Sequence, residues 1–138
     1  MSGSFEAELV RDAYAPRTAR RLVREWFGAE LPRGELDTAL LLVSELVSNA
    51  VRHGKGIATV RADLNEDRLL VEVIDEGGGL ERSIRRHDFE DVGGWGLRIV
   101  DAAASRWGVH EGTTHVWFEL ERSGPRLGSD RSPADEIG

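Results

Sequence analysis

The chain has 138 residues, 40% hydrophobic and 31% charged, the composition of one globular domain long enough to bury a single sizeable core. A formal net charge of -7 argues against a nucleic-acid-binding protein, because phosphate contacts need a basic footprint. The absence of cysteine excludes a disulfide framework, thiolate catalysis and zinc–thiolate sites.

No apolar run approaches the ~20 residues that span a bilayer. The start, Met1-Ser2-Gly3-Ser4-Phe5-Glu6, lacks the basic and apolar regions of a signal peptide, so a cytoplasmic protein with no membrane association is expected. Residues 5–12 alternate weakly and predict an edge strand. Pro16 suits the first turn of a helix in which Ala19, Leu22, Val23, Trp26 and Phe27 recur at helical spacing until Gly28 stops it. Arg17, Arg20, Arg21 and Arg24 form a basic stripe on that helix, read as a solvated face ahead of a partner-docking surface.

A linker over residues 29–34, carrying Pro32, leads into the strongest helical pattern, about residues 35–53. There Leu36, Leu40, Val43, Val47, Ala50 and Val51 form the core stripe, and Gly54 follows as a C-terminal stop. Two strand-like runs, 57–64 and 69–74, are joined by Asn65-Glu66-Asp67 as a hairpin turn. Residues 76–93 are glycine-rich, then charged and without period, which predicts a loop. A third helix is expected over 97–106, burying Leu97, Val100 and Ala104 and stopped by Gly108, followed by a hairpin of 109–111 with 114–120. The segment from Ser123 onward is poor in apolar residues and is expected to be disordered, giving one domain over 1–121 and a tail over 122–138. Strand, two helices, two strands, helix and two strands define an α+β domain with helices covering one face of a mostly antiparallel sheet.

Three segments carry chemistry. Glu45 and Asn49 lie one turn apart on one helix face, with His53 continuing the line. Magnesium takes hard oxygen ligands and keeps most of its waters, so one Asn49 amide oxygen with phosphate oxygens is an adequate set. Glu45 can orient or deprotonate a hydroxyl or water beside a γ-phosphate. The bland alternative is a pair of polar residues on an exposed helix face. Asp75 ends a strand and enters Gly77-Gly78-Gly79. It is either a turn signal or an acceptor for the exocyclic amine of adenine, the glycines letting a base approach the backbone. Gly94 and Gly96 precede the third helix as a plain loop or as amides facing a phosphate chain. Rival phosphate motifs, Gly-Lys-Ser/Thr and Gly-x-Gly-x-x-Gly after a strand, are absent. His110 and His115 form no metal pattern, no Gly-x-Ser-x-Gly elbow exists, and His53 also reads as a helix-end residue favoured by the dipole.

In this order the segments resemble the N, G1 and G2 boxes of the GHKL (Bergerat-fold) ATP-binding superfamily, and Gly112-Thr113-Thr114 resembles its G3 box. Within that superfamily the chain is most similar to the bacterial anti-sigma-factor serine/threonine kinases. The similarity rests on Glu45-Leu46-Val47-Ser48-Asn49-Ala50-Val51-Arg52-His53-Gly54, on residues 96–101 and on Arg106-Trp107-Gly108-Val109, and covers about residues 5–120. The resemblance implies a two-layer α/β sandwich with a mixed, mostly antiparallel sheet. It implies ATP and Mg2+ as cofactors, Asn49 on the metal and Glu45 as catalytic base. It places Asp75 on adenine with Gly77 and Gly79 shaping the pocket, Gly94, Gly96 and Leu97 along the phosphates, and Thr113 or Thr114 helping Asp75. His53 completes the expected nucleotide-binding set. Departures are Gly78 where many relatives carry proline, the bulky Trp95, and a short lid over 80–92 whose Arg82, Arg85, Arg86 and His87 can reach phosphates or stay solvated. The implied partners are a sigma factor and an anti-anti-sigma (antagonist) protein phosphorylated on Ser or Thr, with a homodimer expected and the 5–12 edge strand as one surface for it. No dimerising phosphoacceptor hairpin of the histidine-kinase kind is found in the chain. A non-catalytic module that uses the nucleotide only as a switch is the alternative.

Overall fold

The computed structural model describes residues 3–77, 97–109 and 115–122. Its elements run β1 (Gly3–Leu9), α1 (Ala15–Phe27), α2 (Arg33–His53), β2 (Ala58–Leu64), β3 (Arg68–Ile74), α3 (Leu97–Ala103), β4 (Arg106–Val109) and β5 (Val116–Glu121). The sheet order is β1-β2-β3-β5-β4, and the sheet expected to be mostly antiparallel is antiparallel in each of the four pairings among the described residues. β1 lies at one edge, as its weak alternation predicts.

Strand alternation and register build the core together. Ala62 faces Val71, which faces Phe118, and Leu64 faces Leu69, which faces Leu120, so one sheet face becomes a continuous apolar surface. Onto it α2 lays Leu42, Val43, Leu46 and Val47, each at most 1% exposed. α1 adds Ala15, Ala19, Val23 and Phe27 at four-residue intervals, and Phe5 of β1 stacks on Phe27 at 5.7 Å between ring centroids. Proline lies in the first turn of α1, and Gly28 closes it by donating to the Arg24 carbonyl at 2.9 Å.

The opposite sheet face is polar. Across it Glu6, Arg61, Glu72 and Trp117 stand side by side, with Arg61 3.1 Å from Glu6 and 3.6 Å from Glu72. These exposed pairs fix little energy, of order 0–1 kcal/mol each, but mark the face as hydrated. In the basic stripe, Arg17, Arg21 and Arg24 are exposed and Arg21 pairs with Glu25 at 3.7 Å, while Arg20 leaves the stripe to donate to Ser44 Oγ of α2 at 2.8 Å. The stripe is thus in part a helix–helix tie.

The expected third helix is too long. It stops at Ala103, and Gly108, expected to end it, lies within β4 opposite Trp117. Ser105 N donates to Glu119 O at 2.9 Å, Ser105 Oγ accepts from Glu121 N at 2.8 Å, and the Trp107 indole donates to Asp101 Oδ1 at 2.7 Å. Pairing with β5 therefore captures residues whose alanine-rich approach favours helix, a tertiary override of local propensity. Glycine at 108 answers to the indole instead, since a Cβ there would stand 3.0 Å from Trp117 Cζ2. The boundaries of α1, α2, β2, β3 and β5 move by one or two residues, the strand expected from 109 begins at Arg106, and β1 ends at Leu9 before a turn in which Asp12 Oδ1 accepts from Tyr14 N at 2.9 Å.

Candidate functional site

Two elements converge on the site. The C-terminal half of α2 carries Glu45, Asn49 and His53, and the end of β3 carries Asp75. The core stripe of α2 turns Leu42, Leu46 and Ala50 inward and leaves Glu45 and His53 half-buried. Asn49 and Asp75 are the two buried polar residues among the described ones, 4% and 8% exposed. A polar side chain is buried at a cost unless its bonding capacity is met. Asn49 Oδ1 accepts from Arg52 Nη2 at 3.3 Å, and its buried Nδ2 finds no partner among the described residues. The same holds for Glu30 Oε1, Glu35 Oε1 and His53 Nε2, which are likewise buried without a hydrogen-bond partner of that atom among the described residues.

Asp75 is held from below and beside. Its Oδ1 accepts from Gly77 N at 2.6 Å, an Asx-type turn that aims the carboxylate back along the end of β3. The turn expected at Asp75 is thus formed. Gly54, next after α2, approaches so closely that a Cβ would collide with Asp75 Oδ2 and stand 2.6 Å from the Ala50 carbonyl. Helix end and strand end thus touch through a glycine. Gly54→Ala is expected to push the Asp75 carboxylate aside, weakening Mg-ATP binding about tenfold and costing roughly 1–3 kcal/mol of stability, checked by calorimetry and denaturant unfolding.

The residues present suit a magnesium–nucleotide pair. Asn49 offers a hard amide oxygen, at present shared with the Arg52 cation, and Asp75 a carboxylate suited to an exocyclic amine. Leu97 begins α3 and, 1% exposed, belongs to the core. Gly77 is half-buried just after Asp75. Gly78, Gly79, the lid over 80–92 with Arg82, Arg85, Arg86 and His87, and Gly94, Trp95 and Gly96 lie outside the described residues. So do His110, Gly112, Thr113, Thr114 and the segment 123–138. Among the described residues no cluster of three or more His, Cys, Asp or Glu can hold a metal. Sequence reasoning had attached no role to two arginines near these groups, Arg52 against Asn49 and Arg11 against the end of α2. The Arg52 contact is an i, i+3 pair on α2 that helical spacing could have found, whereas the Arg11 contact depends on where the chain folds.

A helix bearing a buried amide thus meets a strand end bearing a buried carboxylate, on one layer of helices over an antiparallel sheet. Residues 10–120 match the model of the histidine kinase-like ATPase domain, and the chain belongs to that family. It is 41% identical over 51 residues to an anti-sigma F factor of Clostridium acetobutylicum, a match covering 34% of this chain and 36% of that protein. In fold it is similar to the crystal structure of the RsbU and RsbW domains of a Mycobacterium tuberculosis protein. There the TM-score is 0.64 at 24% identity, over 87% of this chain and 31% of the other. The chain therefore spans about a third of the length of each. The α+β sandwich expected from the sequence is the fold observed.

Proposed function

We propose that this protein is an ATP-binding anti-sigma regulatory factor that phosphorylates an antagonist protein on Ser or Thr, acting in the cytoplasm as a homodimer. The observation that carries the reading is the buried Asn49 with its unmet Nδ2, one turn from Glu45 on the helix whose end abuts Asp75. The anti-sigma F factor likeness supports the regulatory part of the reading. Among the described residues no helix is long and apolar enough to cross a membrane, which suits this role.

In the proposed mechanism Asp75 accepts a hydrogen bond from the adenine amine and fixes the base at the end of β3, so the triphosphate extends toward α2. Bound magnesium would offset phosphate charge and polarise the γ-phosphoryl group, with Asn49 Oδ1 as its protein ligand. That oxygen has two lone pairs, one of which accepts from Arg52 Nη2 at 3.3 Å, so the other would be available to the ion. Glu45 takes the proton of the acceptor hydroxyl, whose oxygen forms a bond to the γ-phosphorus as the bond to the ADP oxygen breaks. The products are ADP, the phosphorylated Ser or Thr, and a protonated Glu45 that returns its proton to solvent. Gly77, Gly79, Gly94, Gly96, Leu97, His53, Thr113 and Thr114 line the nucleotide in this reading, and a sigma subunit is held while the antagonist is phosphorylated.

The test is transfer from γ-labelled ATP to each antagonist encoded beside candidate sigma factors. Label on a Ser or Thr of one of them is the expected result. Label on none, with Mg-ATP still bound, would contradict the kinase and leave a nucleotide-switched module that represses by occlusion.

A further inference from the structure

Arg11 lies in the β1–α1 connection, far in sequence from α2, yet its guanidinium sits against the end of that helix. Nε donates to Gly56 O at 2.8 Å, and Nη1 donates to Val51 O at 2.9 Å and Ala50 O at 3.3 Å. The carbonyls of Ala50 and Val51 belong to the last turn of α2, where the dipole favours a cation; that of Ala50 also accepts from Gly54 N at 2.9 Å. One planar fork thus joins the helix end to the segment Gly54-Lys55-Gly56 that follows it, a span that a point-charge ammonium cannot reproduce.

The same three residues are held from the other side by the end of β3. Gly54 abuts Asp75 Oδ2, Lys55 O accepts from Glu76 N at 2.8 Å, and Gly56, at φ 66°, lies under the Glu76 side chain. The turn is therefore clamped between Arg11 and residues 75–76. Arg11 makes no bond to Glu45 or to the Asn49 side chain, although Ala50 directly follows Asn49.

We infer that Arg11 is a positioning residue for base recognition: it sets the 54–56 turn against Asp75 and so holds the carboxylate where an adenine amine can meet it, without touching the nucleotide. The inference rests on the proposed ATP site and assigns a separate determinant to its base end. Removing the fork is expected to relax discrimination between adenine and a base lacking the amine, leaving attraction for the phosphates in place.

The test compares Mg-ATP, Mg-ITP (a carbonyl in place of the amine) and Mg-tripolyphosphate on the full chain by titration calorimetry. Wild type is expected to favour ATP over ITP by about tenfold or more, as a site built on one charge-assisted hydrogen bond does. Arg11→Met is expected to bind ATP about tenfold more weakly, with ITP and tripolyphosphate affinities within about twofold of wild type and the ATP:ITP ratio near one. Arg11→Lys is expected to give an intermediate ratio, and carries the test alone if Arg11→Met does not fold. A wild-type ATP:ITP ratio in the variants, or an equal loss for all three ligands, would overturn the inference. Wild-type protein that binds no Mg-ATP would overturn the site reading itself and the Arg11 role with it, a result distinguishable from the first two.

Discussion

Glu45→Gln is expected to slow phosphotransfer about a thousandfold while leaving the Mg-ATP dissociation constant within about twofold of wild type. The substitution keeps volume, helix propensity and hydrogen-bonding reach, and removes only the ability to take a proton. Position 45 is half-buried on the flank of α2, whose buried stripe of Leu42, Val43, Leu46 and Val47 does not include it, so no core contact is lost. Single-turnover mixing of enzyme, labelled ATP and antagonist separates the chemical step from binding. A Glu45→Gln protein transferring phosphate at the wild-type rate would remove Glu45 from the chemistry. Regulation surviving Glu45→Ala but not loss of Asn49 would identify a nucleotide switch.

For Asn49→Ala the expected loss is in binding, about a hundredfold in Mg-ATP affinity, the scale of one hydrogen-bonding group directed at a charged ligand. Stability should move the other way or hardly at all. Asn49 is 4% exposed, and its Nδ2 finds no partner among the described residues. Such a group costs roughly 1–3 kcal/mol in the unliganded protein, which offsets the packing lost with the side chain. The nucleotide-free variant is therefore expected to melt at or above the wild-type temperature, whereas wild type alone should gain stability on adding Mg-ATP. A merely structural Asn49 would give the reverse pattern, a lower melting temperature with ligand stabilisation retained.

Where the signal was periodic, the sequence was legible. The α2 stripe, the Asn65–Asp67 turn and the alternation of β2, β3 and β5 gave the elements to within one or two residues, because each buries one face and a register slip would expose it. The spacing of Glu45 and Asn49, and the placing of Asp75 at a strand end, also follow from period and turn chemistry. Residues 106–108 were not legible as strand. Ala102, Ala103 and Ala104 favour helix locally, and only the pairing with β5 and the bonds of Ser105 to Glu119 and Glu121 decide otherwise. The same limit hid Arg11, whereas the Arg52–Asn49 bond is a local i, i+3 pair. An arginine that bonds carbonyls forty residues away looks in sequence like any solvated cation. Gly54 was legible as a helix stop but not as the point where α2 yields to Asp75, which needs both elements in place.

The central claim, that the α2–β3 junction is a Mg-ATP site, is tested most directly by calorimetric titration of the purified full chain with ATP in the presence of magnesium. The account predicts saturable binding at one site per chain that weakens when magnesium is chelated. Titration to millimolar nucleotide with no saturable heat, by a protein whose folding is verified in the same sample, would contradict it.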